Sequence, residues 1–279
     1  MQVRFEKWHG LGNDFVLVDE GLLPDGDVAR LASTLCHRRN GIGADGLLLI
    51  RPDPPRMTVY NADGSKPEMC GNGLRCAAAW LASREGQGPP GPLRIQTDAG
   101  PHAVSVESTS CDSWVVTVRF DTLRMGVHGV EPIMAESEAL GAGLLVSVGN
   151  PHWVFVGGRK ERERLATVGA QLERDARFPD RINVEVAEQV SPNHWKVTVW
   201  ERGCGLTQAC GTGACAVAYA LASRGEAPWD SELIVELPGG RLNITPHRTG
   251  AVTMVGSAVR VFRGAIDIAQ DHSAQRPND

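Results

Sequence analysis

The chain has 279 residues, 42% of them hydrophobic, and a formal net charge of −5. That length suits two domains, or one large one, with substantial cores, and the mild charge with scattered Lys and Arg argues against nucleic acid as a partner. No apolar run approaches the ~18–20 residues of a membrane span, and MQVRFEKWHG lacks a signal peptide's apolar core.

In chain order, VRFEKW and FVLVD read as strands, residues 26–38 as a helix, DGLLLI and MTVYNA as strands, and residues 72–85 as a helix. LRIQT, HAVSVE and WVVTVRF complete a first half. GQGPPGP at 86–92 is a loop inside it, because strand-like segments resume on both sides. Periodicity lapses near 121–131, which is the better boundary. The second half repeats the plan. LLVSVGN, HWVFVG, RINVEVAE, HWKVTVWER, ELIVELPG, RLNITP and AVTMVGSAVRVF read as strands, with helices near 160–175 and 212–225. Helices packed on, or wrapped inside, mostly antiparallel sheets make this an α+β chain. The polar end QDHSAQRPND reads as a frayed tail.

One passage occurs twice. Cys70 opens CGNGLRCAAAWLASR and Cys210 opens CGTGACAVAYALASR, 140 residues later. In that ungapped register the Cys, both Gly, one Ala and the closing L-A-S-R coincide. Each copy sets a thiol at the start of an alanine-rich helix, where backbone N–H groups and the macrodipole favour negative charge. Both thiols are therefore expected below the free value of about 8.5. Two such thiols facing across a cleft suit chemistry that needs an acid on one side and a base on the other.

Other readings of these residues are weaker. GIGADG at 41–46 spells a dinucleotide loop, but charged CHRRN precedes it and a strand follows it. Zinc usually wants thiols paired as C-x2–4-C, whereas Cys70/Cys76 and Cys204/Cys210 are six apart and Cys210/Cys215 five apart. Cys36, Cys76, Cys111 and Cys215 read as small buried apolar residues, and Cys204 is open. A redox pair of Cys70 with Cys210 is the more serious rival, although no C-x-x-C is present. Asn13, Asn61, Asn72, Asn150 and Asn183 each fit a turn or cap, but five beside Gly, Pro or strand ends form a set. Amides bond both ammonium and carboxylate. Glu201-Arg202 is either an exposed strand-end ion pair or a recogniser of a zwitterion, and His152 is structural or catalytic.

HGLGNDF (9–15), GIGADG (41–46), NADGS (61–65), CGNGLRC (70–76), GNPH (149–152), RINVE (181–185) and ERGCGLTQACGTGACA (201–216) together resemble the diaminopimelate epimerase family, colinearly along the chain. The resemblance implies two pseudo-symmetric lobes, each a mostly antiparallel barrel-like sheet around a central helix. The first lobe would span 1–122 with a returning strand at about 257–268, the second 123–256, and 269–279 a flexible tail. It implies a homodimeric, cytoplasmic isomerase of lysine and peptidoglycan precursor synthesis that takes a small amino-acid substrate and needs no pyridoxal phosphate, other cofactor or metal.

Residue by residue, the resemblance makes Cys70 and Cys210 the catalytic pair, with His152 and Glu201 as their acid–base partners. Gly71, Asn72, Gly211 and Thr212 would cradle the α-carboxylate. Asn13, Asn61, Asn150, Asn183, Glu201 and Arg202 would hold the two amino-acid ends. Gly46 stands where some members carry a substrate-touching Gln, and Leu206 where many carry Glu. Closure of the lobes is expected to bring the thiols together. The competing functions are epimerisation of another amino acid, such as proline, hydroxyproline or histidine, and a non-catalytic or redox-regulatory role.

Overall fold

The computed structural model describes residues 2–23, 26–84, 92–121, 123–127, 129–130 and 133–267. Most of the 86–92 loop and the whole 269–279 tail lie outside them. Seven strands build the first half: β1 (Gln2–Gly10), β2 (Asn13–Asp19), β3 (Gly46–Arg51), β4 (Arg56–Asn61), β5 (Leu93–Thr97), β6 (Gly100–Ser110) and β7 (Ser113–Phe120). Seven longer strands follow: β8 (Gly141–Ser147), β9 (Pro151–Val156), β10 (Asn183–Ser191), β11 (His194–Glu201), β12 (Leu233–Leu237), β13 (Gly240–Pro246) and β14 (Val252–Asp267). The helices are α1 (Val28–Cys36), α2 (Gly71–Ala82), α3 (Arg159–Glu173) and α4 (Gly211–Ser223).

The two halves are wired alike. β1–β2, β3–β4, β5–β6 and β6–β7 are antiparallel, and β2–β3 and β4–β5 are parallel. In the second half β8–β9, β10–β11, β12–β13 and β13–β14 are antiparallel, and β9–β10 and β11–β12 parallel. Parallel neighbours need a crossover, and each crossover is made at the same place in both halves. α1 and α3 follow the second strand of their half, and α2 and α4 follow the fourth. The sequence repeat is thus a repeat of topology.

β14 closes the first half. Residues 252–259 pair antiparallel with β7 and residues 259–267 with β1, so β1 to β7 and β14 form a ring. Its opening residues 252–255 also pair with β13 of the second half. One 16-residue strand therefore belongs to both lobes. The fold is α+β, with two mostly antiparallel barrel-like lobes each wrapped on a central helix.

Helix composition decides which helices go inside. α2 buries every residue from Gly71 to Leu81, and α4 buries all but Tyr219 between Gly211 and Ala222. A helix apolar on all sides must be enclosed, and their alanines let the sheet approach closely. One continuous core runs around both, from Trp8 and Trp80 to Trp195 and Leu242. α3 (RKERERLATVGAQLE) is charged outside and buries Leu165, Gly169 and Leu172, so it lies against the outer face of β10 and β11 over a second core. α1 does the same over a third core, its N-terminus capped by Asp27.

Cys111 departs from expectation. It is exposed at the β6–β7 turn, not a small core residue, because the hairpin tip carries it beyond the sheet. Cys36, Cys76 and Cys215 are buried as expected. Packing of α3 gives a test. A Cβ on Gly169 would lie 2.3 Å from the Trp200 ring. Gly169→Ala should cost about 1–3 kcal/mol of stability through this overpacking, read as a lowered urea midpoint with an unchanged slope.

Candidate active site

The chain has to leave each sheet and turn into each central helix, and the residue at that corner is a cysteine. Cys70 and Cys210 are both N-caps, with extended backbones (φ −140°, ψ 106° and φ −126°, ψ 109°). Each Sγ accepts the backbone N–H three residues on, Gly73 and Gly213, at 3.3 Å. The two helix starts abut across the lobe interface. A Cβ on Gly71 would sit 3.3 Å from Gly211 Cα, and one on Gly211 would sit 3.2 Å from Gly71 Cα. A side chain at either corner would crowd the facing backbone, so glycine at both lets the two helix starts meet this closely.

Around this contact lies a narrow cavity of about 60 Å³, below the ~300 Å³ or more of a typical ligand pocket. Its lining brings together Cys70, Cys210, Asn13, Asn61, Asn72, Asn150, Asn183, Glu201, Arg202, Gly71, Gly211 and Thr212. Pro67, Met69 and Cys204 complete it. His152 is the one sequence-predicted site residue that does not line the cavity. It is fully buried behind Asn150, whose Oδ1 lies 3.0 Å from its Nε2, and its Nδ1 meets Glu185 Oε1 at 2.7 Å.

The amides are held in place before any ligand is considered. Asn72 Nδ2 donates to Asn13 Oδ1 (3.0 Å) and Ala209 O (2.8 Å), and its Oδ1 accepts from the buried Arg75 (2.9 Å). Asn13 in turn donates to Asp45 at 2.9 Å. Asn61 donates to Ser65 at 2.9 Å and Asn150 to Thr212 at 3.3 Å. Asn183 donates to Pro151 O and accepts from the Arg202 N–H at 2.9 Å.

Glu201 and Arg202 do not form the strand-end ion pair that adjacency allowed. Glu201 turns inward and accepts from Thr207 and from the Cys210 thiol. Arg202 turns along the lobe interface, donating to Asp180 O (3.1 Å) and to Glu68 (2.9 Å), 134 positions earlier. That ion pair ties the lobes together at the cavity rim.

Burial, not the helix start, governs the thiols. Desolvation pushes Cys70 up to about 12, against the pull of the Gly73 N–H. It drives Cys210 well above the ordinary range, and the carboxylates of Glu201 and Glu185 add to it. The expectation of lowered pKa values is corrected. The hydrogen bonds at each sulfur do not offset removal of a thiolate from water. Desolvation likewise raises Glu201 to about 7 and outweighs its two donors. Cys204, open from sequence, is exposed at the rim, and its thiol is raised to about 11.

The sequence pattern of the diaminopimelate epimerase family matches residues 5–122 and again 144–261, one match for each lobe. The enzyme of that name from Desulforudis audaxviator is 42% identical over 280 residues, covering 94% of this chain and 98% of its own. The one from Synechococcus elongatus is 37% identical over 294 residues, covering 96% and 100%. The chain belongs to the diaminopimelate epimerase family. Among solved structures, a hydroxyproline epimerase from Agrobacterium vitis superposes with a TM-score of 0.68 at 17% identity over 95% of this chain and 91% of its own, which shows the shared fold.

Gly46 and Leu206, the two positions expected to depart from the family, have different settings. A Cβ on Gly46 would lie 2.7 Å from Tyr60 O, so a Gln there needs the β3–β4 ladder to shift. Leu206 is exposed, away from the cavity lining. Glu185, Arg75 and Glu68 were not singled out from sequence. Arg75 and Glu185 sit inside recognised motifs and Glu68 just before one, but only the fold shows them buried or bridging.

The thiol environment makes a pH prediction. Alkylation follows the thiolate fraction, so the Cys70 rate should climb about tenfold per pH unit through pH 10 with no plateau near the usual cysteine range. A plateau below pH 9, read on the Cys70 peptide by mass spectrometry, contradicts the desolvated setting. Unfolded cysteines ionise near about 8.5 while Cys70 stays protonated, so this contribution is full below that pH and lost as pH rises above it.

Proposed function

We propose that this chain converts LL-2,6-diaminopimelate to meso-diaminopimelate by a two-base proton transfer between Cys70 and Cys210. As a family member it is an isomerase of the amino-acid epimerase kind. The observation that carries the reading is the meeting of two cysteine-capped helix starts across the lobe interface. Inverting an α-carbon requires a proton to leave one face and another to arrive on the opposite face. Two groups on opposite lobes do this without moving around the substrate.

The reaction balances as an exchange. A Cys70 thiolate takes the α-proton and becomes a thiol, leaving a carbanion at the α-carbon. The Cys210 thiol protonates the other face and becomes a thiolate. The reverse reaction exchanges the roles. An α-carbon is a far weaker acid than any thiol in water. The high thiol pKa values therefore serve the chemistry, because a desolvated thiolate is a stronger base. Glu201, at about 7 and bonded to Cys210, is placed to take or return that thiol's proton near neutral pH.

The substrate α-carboxylate fits between the two helix starts. There the N–H groups of Gly71, Asn72, Gly211 and Thr212 and both macrodipoles face developing negative charge. Removing one comparable donor in other enzymes costs about 2.7–4 kcal/mol in the barrier. The remaining amino-acid end suits Arg202 for carboxylate and Glu201 with Asn13, Asn61, Asn150 and Asn183 for ammonium. This lining favours a substrate with two zwitterionic ends over a small cyclic one. His152 acts through Asn150 rather than on the substrate itself. The cavity is too small for such a molecule, so the lobes part for binding, releasing the Arg202–Glu68 pair, and close to exclude water. The active form is read as a cytoplasmic homodimer that uses no cofactor.

Cys70→Ala and Cys210→Ala should each reduce epimerisation of LL-diaminopimelate by at least about 1,000-fold while the fold is kept. A single variant retaining wild-type activity defeats the two-base reading. In deuterated water the meso product should carry deuterium at the inverted α-carbon. Product formed without label rules out proton abstraction.

A further inference from the structure

Outside the cavity, one buried carboxylate holds both of the segments that deliver Arg202 to it. Glu173 is the last residue of α3, is 4% exposed and does not line the cavity. Two local effects disfavour a carboxylate there: the negative end of the helix dipole and removal from water. Tertiary partners offset them. Oε2 accepts the Trp200 indole N–H (2.8 Å), and Oε1 accepts the Gly203 backbone N–H (3.0 Å) and Arg181 Nη1 (3.4 Å). The Trp200 ring lies against α3 at Gly169, where a Cβ would stand 2.3 Å from it.

The Gly203 contact falls at the crown of the loop that carries Glu201 and Arg202. Glu201 to Cys204 form a turn, closed by the Cys204 N–H on Glu201 O (3.0 Å), with Gly203 in third position at φ +80°. That is the pattern of a type II turn, which differs from type I by a flip of the central peptide. Here the central peptide joins Arg202 to Gly203, and its N–H is the one that Glu173 accepts. Glycine tolerates both orientations, so the loop alone does not choose between them.

Glu173 also fixes the facing segment. Its backbone O accepts the Ile182 N–H (3.2 Å), and its side chain meets Arg181, which sits at φ +60°, a region disfavoured without glycine. Residues 180–183 in turn clasp Arg202. Asn183 Oδ1 accepts its backbone N–H (2.9 Å) and Asp180 O accepts its Nη1 (3.1 Å). With Nη1 so held, Nη2 is the end that reaches Glu68 of the first lobe.

We infer that Glu173 is a positioning residue for recognition of the substrate carboxylate remote from the reacting carbon. It locks the Arg202–Gly203 peptide in one orientation and pins residues 180–183 beside it, so the guanidinium is aimed at the lobe interface before substrate arrives. A preset cation gives up less freedom on binding than one that the ligand must order. The inference rests on the reading of Arg202 above as the holder of that carboxylate.

Full-length Glu173→Met, which keeps the side chain's length and removes both acceptor oxygens, is assayed with LL-diaminopimelate beside the wild type, Arg202→Met and the double variant. Glu173→Met should raise KM about tenfold with kcat within about twofold of wild type. In the Arg202→Met background the same change should move KM by less than about twofold, because no guanidinium is left to aim. An unchanged KM in Glu173→Met, or an equal rise with and without Arg202, overturns the positioning role. A merely structural role would lower the melting temperature and spare KM. If Arg202→Met keeps the wild-type KM, the reading of Arg202 fails and this inference with it. If Arg202→Met raises KM and Glu173→Met does not, only the inference fails. Should Glu173→Met not fold, amide hydrogen exchange in the wild type decides. A Gly203 N–H that exchanges as slowly as those of β11 supports the lock, and exchange at the rate of an open loop overturns it.

Discussion

Everything in this molecule is arranged around the contact between the first turns of α2 and α4. Apart from Arg75 on α2, both helices bury small and apolar side chains on every side and so are enclosed by sheet, and their N–H-bearing starts are the ends that open on the cavity. The two starts meet at the lobe interface with glycine against glycine. That contact fixes which residues reach the cavity: the caps Cys70 and Cys210, the next two residues of each helix, and the strand ends that surround them. β14, paired at once with β13, β7 and β1, holds the lobes in the register that lets the helix starts meet.

The enclosure that builds the cavity also sets its acid–base character. A thiol at a helix start in water would gain from the macrodipole. Here the donors at each sulfur are outweighed by the hydration it gives up. The same dehydration lifts Glu201 to about 7, beside Cys210. Dehydration makes any thiolate formed here a strong base, and it also makes that thiolate scarce.

Duplication accounts for the pair of thiols, yet their surroundings differ. The backbone repeats faithfully while the buried side chains diverge. Arg75 stands behind one corner, and Glu185 with His152 behind the other. The rim is asymmetric as well, since Arg202 of the second lobe reaches Glu68 of the first. Such charges act over short distances inside a low-dielectric interior, where a single carboxylate matters more than it would at the surface.

Much was legible from residues alone. Strand alternation, the two alanine-rich runs and the 140-residue echo from Cys70 to Cys210 gave the α+β class and paired thiols, because periodicity and short motifs are local properties. The cavity gathers every substrate-binding residue read from the motifs, while His152 stands one layer back. What the chain could not disclose locally was dehydration and long-range pairing. The rise of both thiols, the exposure of Cys111, the Glu68–Arg202 bridge and the buried Arg75 and Glu185 depend on what other segments bring near. Sequence determined which groups exist and which helix each would cap. Only the tertiary structure decided how much water they keep and which charges they face, because desolvation and Coulomb terms are set by neighbours distant along the chain.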